Sequence, residues 1–149
     1  MPDLRVPLED ALRAAVLAAW PEVTVGGVYQ GYDAFREAWD VLQARNTTLV
    51  VLDITTEPAT FPADARAEMN TCKIYYVASD ATDKRALAEK TSVLADYLYL
   101  NPLSVGQLRG NPSTAMDRQD PINSLFIDTQ KPWFVGCVTA MVLMCGRNV

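Results

Sequence analysis

Trp133-Phe134-Val135-Gly136-Cys137-Val138-Thr139-Ala140-Met141-Val142-Leu143-Met144-Cys145 is the stretch that decides the fold. It is rich in valine and too short for an ordinary transmembrane helix, so it reads as a strand. Alternation sets Trp133, Val135, Cys137, Met141 and Leu143 on one face and Phe134, Val138, Ala140, Val142 and Met144 on the other. Both faces are apolar, so helices must cover one side, and either the chain's own helices or a partner subunit the other. Upstream, Ile122–Asp128 and the turn Thr129-Gln130-Lys131-Pro132 complete a C-terminal β-hairpin.

Working back from the hairpin, Arg109–Pro121 holds Gly110, Pro112, Ser113, Asp117, Arg118, Asp120 and Pro121 and reads as a polar loop, with Leu103–Leu108 as a short strand before it. Leu87, Thr91, Leu94, Ala95 and Leu98 recur on one face of a helix that Asp80 or Thr82 caps and Pro102 ends. Asn70–Ala78 alternates Cys72, Ile74 and Tyr76 with Lys73, Tyr75 and Val77, a strand pattern. Thr55–Met69 carries Pro58 and Pro62 among polar residues and reads as a long excursion, an extended arm.

Thr47–Ile54 is almost continuously aliphatic or β-branched, which suits a central strand covered on both faces. Ahead of it, Asp33–Arg45 reads as a helix burying Phe35, Ala38, Trp39 and Leu42, and Val23–Tyr29 as a short strand interrupted by Gly26-Gly27. Leu8, Ala11, Leu12, Ala15, Val16 and Ala19 give Pro7–Trp20 helical spacing, with Pro7 in the first turn and Pro21 as the stop. The expected architecture is α+β (mixed α/β): residues 1–149 as a single domain, with one sheet flanked by helices and the C-terminal β-hairpin closing it.

Composition excludes several classes. The net charge is −5 and the thirteen Lys and Arg are scattered singly, so no basic stripe is available for nucleic acid. Cys72, Cys137 and Cys145 are odd in number and lie in apolar stretches, as free thiols in a reducing cytoplasm do. Asp3, Glu9 and Asp10 interrupt the amino-terminal apolar residues, which therefore do not read as a signal peptide, and no membrane partner is expected.

The chain has no histidine, so neither a Ser-His-Asp triad nor a Cys-His dyad nor a histidine metal site can be built. Its cysteine spacing matches no zinc or redox motif. Gly26-Gly27 with Gly31 lacks the Lys-Ser/Thr of a phosphate loop and reads as a turn. Asp53, after Leu49-Val50-Val51-Leu52, stands where α/β proteins place a magnesium ligand or phosphoacceptor, but no companion set of acidic residues and lysine follows in order. No catalytic, metal or cofactor residue is expected, and an enzyme is not the favoured reading.

The strand Cys72–Ala78, the helix within Arg85–Leu100, the polar loop and the closing hairpin ending Trp133–Val142 together resemble the tail terminator, or tail completion, proteins of tailed bacteriophages. The amino-terminal helix and the size agree with that resemblance, whereas the helix Asp33–Arg45 departs from its element order. The resemblance implies a structural virion protein without an active site or cofactor. It also implies a homo-oligomer, a hexameric ring that caps the tail tube, stops its polymerisation and joins the neck or connector. Assembly would occur in the host cytoplasm and the product would reside in the virion tail. Ring subunits offer different patches to left and right neighbours, and the two long loops make Phe61, Arg66, Met116 and Arg118 candidate contact residues for tube protein or neck proteins. Two other readings stand beside it: a different head–tail joining or minor tail protein, and a small cytosolic α/β enzyme or ligand-binding domain that uses Asp53.

Overall fold

Burial along Leu49–Pro58 changes character partway. Leu49 to Leu52 are buried in succession, Ile54 is buried, and Thr55, Thr56, Glu57 and Pro58 are exposed. In the computed structural model, which describes residues 5–24, 27–30, 34–44, 48–58, 65–78, 84–115 and 134–147, this strand leaves a covered core and continues into solvent. The chain runs α1 (Arg5–Ala19), a 3-10 turn (Pro21–Thr24), β1 (Val28–Tyr29), α2 (Ala34–Ala44), β2 (Leu49–Pro58), β3 (Ala65–Ala78), α3 (Lys84–Leu100), β4 (Gln107–Ala115) and β5 (Phe134–Arg147). Among the described residues five strands form one mixed sheet in the order β1-β2-β3-β5-β4, parallel only between β1 and β2. The fold is the expected α+β arrangement.

Helices cover the sheet unequally. On one face, Leu8, Leu12 and Val16 of α1 and Leu87, Leu94 and Leu98 of α3 pack on Val50, Leu52, Ile54, Cys72, Ile74, Val138, Ala140 and Val142. Trp20 joins that core, its ring edge-on to Tyr76 at 4.9 Å and its Nε1–H donating to the Lys90 carbonyl at 2.9 Å. Burying a tryptophan with its one donor satisfied stabilises strongly and ties the end of α1 to α3. On the other face, Ala34 and Ala38 of α2 lie with Leu49, Val51, Tyr75, Val77 and Cys137, flanked by Tyr29 and Val41. The side chains of Phe35, Trp39 and Leu42 are outside those described.

Four sequence expectations need correction. Thr55–Met69 is not an irregular excursion over its length: Thr55–Pro58 pairs with Glu68–Thr71, and β3 pairs with β5 from Ala65 onward. The ladder supplies backbone partners that local propensity does not reveal. Arg109–Ala115 is likewise strand, paired to β5 across a register shift between Arg109 and Ser113, and the Gly and Pro read as loop signals mark that irregularity. Leu103–Leu108 is mostly a connection, with only its last residues in β4. Among the described residues of Val23–Tyr29 only Val28–Tyr29 is strand, because Pro21 starts a 3-10 turn in which the Thr24 hydroxyl donates to the Pro21 carbonyl at 2.6 Å. The strand beginning near Leu49 is interior, as expected, but β3 occupies the middle of the sheet. The proposed first arm of the C-terminal hairpin, Ile122–Asp128, lies outside the described residues.

Candidate functional site

The sheet face that carries α2 is built in rows, because residues opposite one another in register project from the same side. Beneath α2 the row Val51–Tyr75–Cys137 is apolar and buried. The next row is Asp53–Lys73–Thr139–Ser113, and the one beyond it Thr55–Thr71–Met141–Arg109. The outermost is Glu57–Met69–Leu143–Gln107. Thr55, Glu57, Met141, Arg109, Gln107 and Ser113 are exposed, and Asp53, Lys73, Thr71, Met69 and Thr139 are half-buried. Below α2 this face is a mixed polar and apolar platform formed by four strands.

The opposite face stays apolar further down, and its polar residues are internally satisfied. Asn70, almost fully buried, accepts from the Thr56 hydroxyl at 2.7 Å, and its amide reaches the carbonyls of Val142 and Glu68, each at 3.4 Å. Buried Glu9 is paired with Arg5 one helical turn earlier at 2.9 Å. These contacts pin the root of the projecting strands and the start of α1, and they bring no catalytic pair together.

A second polar cluster joins the 3-10 turn to α3. Lys90 Nζ contacts Glu22 Oε1, and the Tyr76 hydroxyl donates to the same oxygen at 3.4 Å. Burial pushes the Glu22 carboxyl upward, but Lys90 and lesser hydrogen bonds outweigh it and hold the group below its ordinary range. Burial first, then the Glu22 charge, pushes the Tyr76 hydroxyl up to about 12. Burial alone takes the Cys72 thiol up to about 12, with Arg5 opposing. A thiol and a phenol tuned this way stay protonated at neutral pH and are poor nucleophiles, so the cluster acts as a latch between elements.

Asp53 is not at a strand end. It sits within β2, directly opposite Lys73, where a cross-strand pair of opposite charge is a stabilising surface feature. Gly27 belongs to a turn, its N–H donating to Val23 at 2.7 Å and its carbonyl accepting from Val50 at 3.1 Å, whereas Gly26 and Gly31 lie outside the described residues. Among the described residues no His, Cys, Asp or Glu group gathers as a metal site, and no helix is long and apolar enough to cross a membrane. Cys72 and Cys137 are free and buried.

Of the four expected contact residues, Phe61, Met116 and Arg118 lie outside the described residues. Arg66 is placed by its backbone in β3 opposite Gly146, with its side chain outside those described. The residues that sequence reading passed over are Glu57 and Arg109, both in stretches read as loop. A single charge in a loop carries no signal until a strand gives it a face and a neighbour. No protein-family model matches the sequence, and comparison with curated proteins likewise finds no match.

Proposed function

We propose that the chain is a structural, ring-forming subunit of the kind that its resemblance to phage tail terminators implies: it caps a tail tube, ends polymerisation and offers a joint to the neck. The observation that carries this reading is the sheet extension. Thr55–Pro58 is held in the ladder by Glu68–Thr71 yet exposed to solvent. The same rows of β5, Val142, Leu143 and Met144, are buried, so it is β2 alone, along its edge, that is ordered at a cost in conformational entropy while its own side chains stay in solvent. Such an extension gains its return when a partner packs against it. Val93, Tyr99 and Leu100 add exposed apolar surface on α3.

The test is mass in solution by light scattering, at low and high concentration and then with tail-tube protein added. A mass six times the 16.4 kDa of one chain, alone or on the tube, is the expected result. A monomer indifferent both to concentration and to tube protein would overturn the proposal.

A further inference from the structure

Resting on the ring reading, we propose that copies of this chain meet head to tail through opposite charges on the α2 face, Glu57 at the β2 flank of one copy against Arg109 at the β4 flank of the next. The occupant of each flank is a second copy of the same chain, and the contact has a direction.

The two flanks differ in sign. Over Gln107–Ala115 the one charged residue is Arg109, exposed and on the α2 face because it stands opposite Met141. At the other flank, Glu57 is exposed on the same face, opposite Met69. Asp53, further up β2, is half-buried and stands opposite Lys73 in the ladder, away from the exposed end of the strand. Among the described residues neither Glu57 nor Arg109 takes part in an ion pair. They cannot serve each other within one chain, since three strand spacings of about 4.8 Å put roughly 14 Å between β2 and β4. That exceeds the Debye length of about 8 Å at physiological salt.

This arrangement selects among assembly modes. A two-fold contact of either flank with itself would set Glu57 beside Glu57, or Arg109 beside Arg109, and like charges across an interface are unfavourable. A head-to-tail contact pairs opposite signs at every junction and closes when the rotation per copy allows it. Side chains, not strand addition, carry the junction. β4 is blunted as a template by its register shift, by Gly110 at φ +72° and by Pro112, which has no N–H to offer. Asp96 of α3, which shares a groove with Asn111 and Pro112, projects from the helix that covers the other face and does not oppose Arg109.

The experiment compares wild type, Arg109→Glu, Glu57→Arg, an equimolar mixture of the two single variants, and the double variant in one chain, all by light scattering at physiological salt. Each single variant sets like charges at every junction and should associate roughly tenfold more weakly, a change within reach of exposed charges that go from attraction to repulsion. Mixing should restore assembly: in alternating copies the two reversed charges face each other at one junction, and the native Glu57 and Arg109 face each other at the next. The double variant should also assemble. Both positions are exposed, and a thermal melt by circular dichroism confirms that each variant is folded. Wild type that assembles together with single variants that assemble equally well would overturn the directional contact and leave the ring reading standing. Single variants that lose assembly and are restored neither by mixing nor in the double variant would also overturn it. Wild type that never assembles, alone or on tube protein, would overturn both.

Discussion

Two glycines in and beside β4 share a backbone conformation and differ in surroundings, which allows strain and crowding to be measured separately. Gly106 has φ +76° and Gly110 φ +72°. A Cβ built on Gly110 meets nothing within 4 Å, whereas one on Gly106 lies 2.7 Å from Met144 Sδ, 2.7 Å from Val142 Cγ1 and 3.1 Å from the Leu143 carbonyl oxygen. In Gly110→Ala the left-handed conformation costs about 1–2 kcal/mol. Reduced freedom of the unfolded chain offsets about 0.4–1 kcal/mol of that, leaving a loss of roughly 1 kcal/mol. Gly106→Ala carries the same two contributions and adds overpacking, typically about 1–3 kcal/mol. The Met144 thioether can swing aside, but Val142 is β-branched and fully buried, and the Leu143 oxygen belongs to β5. Gly106→Ala should therefore lose about 2–4 kcal/mol in total. Urea unfolding followed by circular dichroism at one fixed protein concentration reads the difference between the variants, in which the conformational contributions cancel. Equal losses at the two positions would refute the packing of the Leu103–Gly106 connection against β5.

Stability should fall with rising pH from about 9. The folded chain keeps the Cys72 thiol protonated up to about 12 from an ordinary 9.0, and the Tyr76 hydroxyl up to about 12 from 10.0. Above pH 9 the unfolded chain therefore binds fewer protons than the folded one, so stability decreases as pH rises through that window and levels off above the folded values. At about 1.4 kcal/mol per unit the Cys72 contribution approaches roughly 4 kcal/mol as an upper bound. Cys72→Ala should lose less stability than wild type between pH 9 and 12 in chemical-denaturation curves, and a loss over that window unchanged by the substitution would contradict the burial of the thiol. Asp53→Asn removes a half-exposed charge opposite Lys73 and should change stability by less than about 1 kcal/mol. Calorimetric titration with magnesium should look the same for that variant and wild type; magnesium binding by wild type that Asp53→Asn abolishes would revive the ligand-binding reading.

The elements read well from sequence were those whose neighbours are local or whose faces are uniform. α1 and α3 announce themselves by i, i+4 spacing, and Leu8, Leu12, Leu87, Leu94 and Leu98 are all buried as that spacing implies. β5 was legible because an apolar run with two greasy faces has few other places to go, and Val138, Val142, Leu143 and Cys137 are buried on its two sides. The misread stretches are strands whose stability is borrowed. Glu57–Pro58 and Ala65–Met69 have little β propensity, and the ladder that orders Ala65–Met69 comes from β5, far along the chain. Arg109–Ala115 contains the glycine and proline that normally end a strand, yet an irregular edge tolerates both. The proposed contact residues Glu57 and Arg109 were illegible for the same reason, since their shared face exists only once four strands are in register.

The lengths of the elements explain why one sheet face is left partly uncovered by α2. β3 has 14 residues and spans roughly 46 Å at about 3.3 Å per residue. α2 has 11 residues and spans roughly 16 Å at about 1.5 Å per residue, so even laid along the strand it shields little more than a third of that length. α1, with 15 residues, and α3, with 17, share the other face, which stays buried as far as Val142 and Met144. The α2 face changes along this length, from Val51 and Tyr75 beneath the helix to Asp53, Lys73, Thr71 and Arg109 beyond it, with Leu143 buried in the outermost row. A face that had only to meet water would have no need of Met69 and Met141 among those charges. A face buried permanently would not keep Glu57 and Arg109 exposed on opposite flanks. Adaptable methionines within a polar, charged surround suit the surface that the proposed assembly would cover.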